Sequence, residues 1–367
     1  MVCGKTSELI SEAIGVCVEC LRERPDDCIN YIRDAHRRSR SKYGLPGEPP
    51  RNPKGLKCPF CANHCELEDG DIGFCGLTAN VNGRLKRLGG TSKNGIVDFY
   101  YDPLPTNCVA EWVCPGCTGR GYPKYAYTST AEYGYYNLAV FYGSCSLDCL
   151  FCQNWVYRRM AKNLGPTMSA EELASKINEK VSCVCYFGGD PSSQMPHAIM
   201  ASKLMLERTK DRIFRVCWET NGLMTSQHLD VAVELSLESG GIIKFDFKAW
   251  TPTVYRALTG CDNKALIDNI KRAAKRFEER PEVPLVVVST LLVPGYVDSY
   301  EVEQIASFIA DLHPEIPYSL LVFHPDYLMD DLPPTSRRHV NECVEVAKKA
   351  GLKNIHIGNV WLIGDYY

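Results

Sequence analysis

No stretch of this 367-residue chain approaches the roughly 18 unbroken apolar residues of a membrane span, so no spanning helix is expected. Charge of one sign is also scarce. The 41 basic and 44 acidic residues leave a net charge of -3, which removes the global field that would draw nucleic acid or anionic lipid. The first 14 residues carry Lys5, Glu8 and Glu12 and lack the apolar centre of a secretory signal, so the cytoplasm is the expected compartment. Hydrophobic residues at 45% and charged residues at 23% exclude a disordered chain, and the length suffices for one large α/β domain with a smaller appendage. The one basic run, Arg33 to Lys42, reads as the solvated face of a helix.

Cysteine is abundant instead. Nineteen thiols in a chain expected to remain in a reducing compartment do not make a disulfide framework, and their number is odd, so metal is the better explanation. The segment Tyr142-Gly143-Ser144-Cys145-Ser146-Leu147-Asp148-Cys149-Leu150-Phe151-Cys152-Gln153-Asn154-Trp155 follows the apolar run Leu138 to Tyr142 and spaces three cysteines as CxxxCxxC. Three thiolates on one tight loop can hold three corners of a 4Fe-4S cube and leave its fourth iron without a cysteine. An electron-transfer cluster would take four, so the open corner marks a reactive iron.

Downstream, apolar runs alternate with amphipathic segments. Residues 181–187, 213–218, 242–247, 285–292, 318–323 and 355–362 read as buried parallel strands. Ser169 with Glu172 forms a capping box, and 196–208, 226–238, 264–278, 299–312 and 337–350 read as helices. Such repeats predict an α/β fold, a parallel barrel or an open sheet, with its site at the carboxyl ends of the strands. Those ends carry Gly188-Gly189-Asp190-Pro191, Glu219-Thr220-Asn221-Gly222, Asp246-Phe247-Lys248, Val293-Pro294-Gly295 and Phe323-His324-Pro325. The glycine pair allows close backbone approach to a ligand, and Asp246 and Lys248 alternate on one face of a strand.

Two CPxC knuckles, Cys58 to Cys61 and Cys114 to Cys117, have the spacing at which two sulfurs converge on one metal, and Cys65 and Cys75 lie beside the first. Either Cys58, Cys61, Cys65 and Cys75 close one site, or Cys114 and Cys117 join the first knuckle as in a zinc ribbon; zinc, iron or a second cluster all suit such sulfurs. Cys3, Cys17, Cys20 and Cys28 are expected to serve as small buried hydrophobes, although Cys17 and Cys20 share a helix face. Cys183, Cys185, Cys217, Cys261 and Cys343 are expected in the core. The chain is thus expected to divide into a helical extension (1–57), a Cys-rich metal-binding region (58–134) and the barrel (135–367).

The cysteine loop resembles the signature of the radical S-adenosylmethionine (radical SAM) superfamily, which implies that the α/β fold is a partial TIM-like β/α barrel. The resemblance implies that the open iron chelates the amino and carboxylate groups of SAM, which is cleaved reductively to a 5'-deoxyadenosyl radical. Phe151 would then lie near the adenine. Gly188-Gly189-Asp190-Pro191 resembles the superfamily's GGEP motif, with Asp190 in place of Glu. Glu219, Asn221, Asp246, Lys248 and His324 become candidate SAM contacts, Asp246 and Lys248 for the ribose or carboxylate and His324 for the adenine or methionyl end. Across residues 55 to 360 the motifs Cys58-Pro59-Phe60-Cys61, Gly73-Phe74-Cys75-Gly76, Leu258-Thr259-Gly260, Phe323 to Tyr327 and Asp331 to Thr335 look like the branch related to pyruvate formate-lyase activating enzymes, in particular the AmmeMemoRadiSam proteins. In that branch Cys58, Cys61, Cys65 and Cys75 would form the closed site. The GGDP form, Tyr142 three residues before Cys145, the extension up to about Pro50 and the insert from Cys108 to Tyr133 are similar to cobalamin-dependent C-methyltransferases that modify methyl-coenzyme M reductase. That likeness implies cobalamin, an electron donor, the alpha subunit of that enzyme as protein substrate with a glutamine as target, and Tyr142 as a gate on the open iron. No DxHxxG cobalamin motif is present. A glycyl-radical activating enzyme and a non-catalytic iron-sulfur or zinc scaffold are the alternatives.

Overall fold

The computed structural model describes residues 2–106 and 108–367. Nine strands make its main sheet: β1 (Gly95–Pro103), β2 (Tyr136–Tyr142), β3 (Thr167–Met168), β4 (Val181–Phe187), β5 (Arg215–Thr220), β6 (Ile243–Asp246), β7 (Val286–Leu292), β8 (Tyr318–Val322) and β9 (Ile355–Gly358). Their order is β9-β8-β7-β6-β5-β4-β2-β1-β3. From β2 and β4 to β9 every pairing is parallel, and each strand lies beside the next one of that series in sequence. Helical crossovers join them, as parallel pairing requires. Pairing ends at β9 and β3, so the sheet is an open, partial barrel.

The expected strands are present with ends shifted by a residue or two, except that the last stops at Gly358 and continues as a short 3-10 turn, Val360–Leu362. The helix expected at 264–278 ends at Ala274, and Pro252–Thr259, not anticipated, is a further helix. The capping box is formed: Ser169 Oγ accepts from the Glu172 amide at 3.1 Å and Glu172 Oε2 from the Ser169 amide at 2.7 Å. It opens only Ala170–Ala174. Strand β1 lies before residue 135 yet pairs antiparallel with β2 along its length, so the sheet crosses that expected boundary. Only Gly95, Ile96 and Val97 are buried, while Asp98, Tyr100, Tyr101 and Pro103 are exposed, so the strand escapes a search for continuous apolar runs.

The N-terminal extension holds helices Val18–Glu23 and Pro25–Ser41. Pro25 at the first turn, with Asp26 and Asp27, starts the second helix. Cys28, Ile32, Ala35, His36, Ser39 and Arg40 make its buried stripe at helical spacing. The basic run is therefore not one solvated face. Arg33, Arg37 and Arg38 are exposed, but the 3.6-residue period turns His36 and Arg40 inward. Arg22 grips Asp298 through two hydrogen bonds of 2.8 and 2.7 Å, and Ser11 Oγ donates to Asp331 at 2.8 Å. The strap before the first helix passes so close to Gly295 that a Cβ there would lie 2.0 Å from the Leu9 carbonyl oxygen. Val293-Pro294-Gly295 thus seats the strap.

Candidate active site

The ends of β4 to β9 and the loop after β2 surround one cavity of about 460 Å³, within the range of small-molecule sites. Cys145, Cys149 and Cys152 line it on one side, and Gly188, Gly189 and Asp190 line it on another.

The loop is held from behind. Asp148, fully buried between Cys145 and Cys149, receives Arg158 Nε at 3.0 Å and Nη2 at 2.5 Å, Ser39 Oγ at 2.9 Å and His36 Nδ1 at 2.8 Å; Arg40 Nη1 stands 3.5 Å away. Burial alone would raise the carboxyl pKa, but Arg158, His36 and Arg40 outweigh it and hold the group well below the usual carboxylate range. Leu258 and Thr259 carbonyls accept the amides of Leu150 and Asp148 at 3.0 and 2.7 Å. The Leu258-Thr259-Gly260 motif is thus backing for the loop.

Asp190 couples two strand ends. Its carboxylate accepts from the Ser192 and Asn221 amides at 2.7 and 2.6 Å and from Thr220 Oγ1 at 3.1 Å. Burial, the largest influence, lifts its pKa to about 6 although these donors pull the other way. Asn221 in turn donates to Ser146 Oγ at 3.0 Å and to Cys145 Sγ at 3.5 Å. A Cβ on Gly189 would lie 2.1 Å from the Ser144 carbonyl oxygen and 2.2 Å from that of Tyr142, so only glycine lets this strand end close on the cysteine loop.

Opposite, Lys244 Nζ lies 2.7 Å from Asp246 Oδ1 and 3.4 Å from Glu219 Oε2, and Lys248 Nζ lies 3.1 Å from Asp246 Oδ2. Burial opposes ionisation of Asp246, but the two ammonium groups and Ser289 hold its carboxyl well below the usual range. Glu219 Oε1 is buried with no partner among the described residues. An orphaned carboxylate oxygen in a cavity wall is a ready acceptor for an ammonium or hydroxyl group.

Two expected residues are elsewhere. The Tyr142 hydroxyl bonds His197 Nδ1 at 3.0 Å, its ring is fully buried against Tyr186, and it does not line the cavity. His324 is exposed and does not line it either. His356, unforeseen, does, stacked on Trp112 with ring centroids 5.0 Å apart. Lys244 was also missed, although a lysine inside the apolar run 242–247 was a signal. Nothing local foretold His36, 112 residues from its partner.

The donor set is spread too widely for a single ion, as a larger cluster requires. Single-ion arms of about 2.3 Å at tetrahedral angles bring sulfurs to about 3.8 Å, and among the described residues Cys145, Cys149 and Cys152 do not all lie within 4.8 Å of one another. Burial pushes the Cys149 thiol up to about 12, so the thiolates need cationic partners such as iron. When bound, a 4Fe-4S cluster with SAM supplies one-electron cleavage chemistry; the unpaired Glu219 oxygen and the Asp246 lysines suit the nucleoside and amino-acid ends of SAM.

Cys58, Cys61, Cys65 and Cys75 are gathered in one neighbourhood. Burial raises the Cys61 thiol first, and Cys75, Cys65 and Cys58 raise it further. Among the described residues, no three of these sulfurs lie within 4.8 Å of one another. The Phe74 amide donates to Cys65 Sγ at 3.4 Å and the Cys58 amide to the Cys65 carbonyl at 2.8 Å. Cys114 and Cys117 stay apart from the first knuckle, packing with Cys108, Tyr125 and Val287. The neighbouring Cys117 thiol, with Arg215 assisting against burial, lowers the Cys114 thiol pKa to about 7.

Comparison with known proteins agrees with this architecture. The family model described as Radical SAM superfamily matches residues 139–309. An uncharacterized protein of Methanocaldococcus jannaschii is 26% identical over 83% of this chain and 81% of its own length. The isethionate sulfite-lyase activating enzyme of Oleidesulfovibrio alaskensis is 30% identical over 49% of this chain, which spans just 56% of that enzyme. A solved domain of a pyruvate-formate lyase-activating enzyme from Bacteroides vulgatus aligns at 22% identity and a TM-score of 0.39, covering 48% of this chain and 98% of that one. The segment of this chain that carries the cysteine loop and the strands after it is therefore similar to the radical SAM superfamily.

Proposed function

We propose that this radical SAM enzyme uses the radical derived from SAM to modify a protein side chain, and that cobalamin-dependent C-methylation of an unactivated carbon, with a glutamine of the methyl-coenzyme M reductase alpha subunit as target, is the form of that reaction. The observation that carries the first part is the sharing of one cavity by Cys145, Cys149, Cys152, Gly188, Gly189, Asp190 and the Lys244-Asp246-Lys248 ladder. In this reading the cavity walls bind and orient SAM. Asp190 keeps two strand ends in register with the cysteine loop, while Asp246 neutralises two buried ammonium groups beside the nucleoside. The methylation rests on the GGDP form and the N-terminal extension. About 460 Å³ accommodates SAM and a reacting side chain. Cobalamin rests on the resemblance alone, and no step is assigned to that carrier.

The relation to a glycyl-radical activating enzyme favours a second reading, in which the same radical is left on the backbone of a large partner enzyme. Anaerobically reconstituted protein separates them. Corrinoid uptake and methylation of a glutamine-containing peptide support the first. Formation of 5'-deoxyadenosine with a glycyl radical in spin resonance, and no corrinoid, replaces it with the second. A protein that retains its cluster but never cleaves SAM removes both.

A further inference from the structure

Cys3, Cys17 and Cys20 were expected to be packing residues, yet among the described residues theirs are the three cysteine sulfurs that all lie within 4.8 Å of one another. Cys3 Sγ is 3.7 Å from Cys17 Sγ, the separation that two 2.3 Å arms at a tetrahedral angle produce, about 3.8 Å. The three converge because Cys17 is the N-cap of helix Val18–Glu23 and Cys20 sits one turn on, so both point to the same side. The strap then returns Cys3 over them. Cys17 and Cys20 are buried and Cys3 is exposed, which leaves one corner of a tetrahedron open to solvent. Arg24 Nη2 stands 3.0 Å from Cys20 Sγ, and a cation at that distance offsets thiolate charge.

We infer that Cys3, Cys17 and Cys20 bind one zinc-class divalent cation, with a water completing the tetrahedron, and that this ion clasps the N-terminal strap to the helix pair. The spacing is too tight for an iron-sulfur cube, and sulfur-only donors select zinc over magnesium or calcium. The clasp has a structural consequence. The strap and first helix are anchored on the barrel by Ser11 to Asp331 and Arg22 to Asp298. The next helix supplies His36, Ser39 and Arg40 to Asp148 in the cysteine loop. Fixing the start of the extension thus fixes the support behind the cluster. A Cys3 to Cys17 disulfide is the rival outcome at this distance.

The test uses full-length protein purified without oxygen. Zinc and iron are measured by mass spectrometry of the metals in the wild type and in Cys3→Ser and Cys20→Ser. The expected result is one zinc equivalent fewer in each variant than in the wild type, with iron content unchanged. Cobalt(II) added to zinc-depleted wild type should give tetrahedral thiolate bands that Cys3→Ser lacks. Because Cys3 is exposed, its variant folds even if Cys20→Ser does not. Equal zinc in wild type and Cys3→Ser, or a Cys3 to Cys17 disulfide in the anaerobic protein, overturns the assignment.

Discussion

His36 Nδ1 lies 2.8 Å from Asp148 Oδ2, and His36 Nε2 meets the carbonyl oxygens of Arg256 and Ala257 at 3.0 and 3.2 Å. One imidazole thereby ties the N-terminal extension, the cysteine loop and helix Pro252–Thr259 together. With Arg158 and Arg40 on the same carboxylate, Asp148 is the hub on which the loop's shape depends.

Replacing that hub strands buried cations. Asp148→Asn removes the charge facing Arg158 and Arg40, a loss of about 3–5 kcal/mol. The melting temperature is expected to fall by roughly 5–10 °C, and reconstituted iron per chain should fall with it. A variant that melts like the wild type and retains full iron would show that the loop is shaped without this hub.

Asp190 predicts a pH dependence of opposite sign to an ordinary salt-bridged aspartate. Its folded pKa of about 6 exceeds the unfolded value of about 3.9, so the unfolded state releases its proton first. Stability is therefore lost as pH rises from about 4 to about 6, by about 3 kcal/mol at pH 7. Urea midpoints of the cluster-free protein should drop across that window relative to Asp190→Asn, which lacks the titrating group. Parallel pH curves for the two proteins would refute the assignment.

Gly189→Ala places a methyl against two carbonyl oxygens that belong to the backbone of the cysteine loop. Something must move, and β4 must separate from the loop. SAM affinity is expected to fall at least tenfold, about 1.4 kcal/mol or more. Calorimetry on the reconstituted protein measures it, and unchanged affinity would mean the close approach is dispensable.

Glu219→Gln tests the unpartnered oxygen in the cavity wall. A lost charge-assisted hydrogen bond to SAM costs about 1.5–3 kcal/mol, roughly a 10- to 150-fold rise in Kd. Iron content should stay at the wild-type value. An unaltered Kd would place the SAM ammonium and hydroxyls elsewhere.

Tyr142→Phe separates two roles for that ring. If its hydroxyl serves only His197, the variant loses about 1 kcal/mol of stability and cleaves SAM within twofold of the wild-type rate. A change of tenfold in SAM affinity would instead restore a gating role at the open iron.

The cysteine loop and the Gly188-Gly189-Asp190 turn were legible because their chemistry is local. Three sulfurs within eight residues must face one object whatever the rest of the chain does. The parallel strands were legible because strands buried on both faces read as continuous apolar runs. Strand β1 was not, since half its residues face solvent, and the basic run misled because composition ignores the helical period. His324 was chosen for its place after an apolar run, but the chain turns outward there, and His356 one strand on faces the cavity in its stead.

From the sequence alone follow the strand-helix fold, read from its apolar runs, and the three-thiol loop with the glycine turn after it, whose spacings of a few residues covalent geometry carries into space. Tertiary structure decided which charges are free and which are spent. Asp148 and Asp190 are occupied by partners from other elements, Glu219 keeps an oxygen open, and Cys3 meets Cys17 and Cys20. Those outcomes depend on how segments tens to hundreds of residues apart pack, because burial and the groups brought alongside determine what a charged or sulfur-bearing side chain can do.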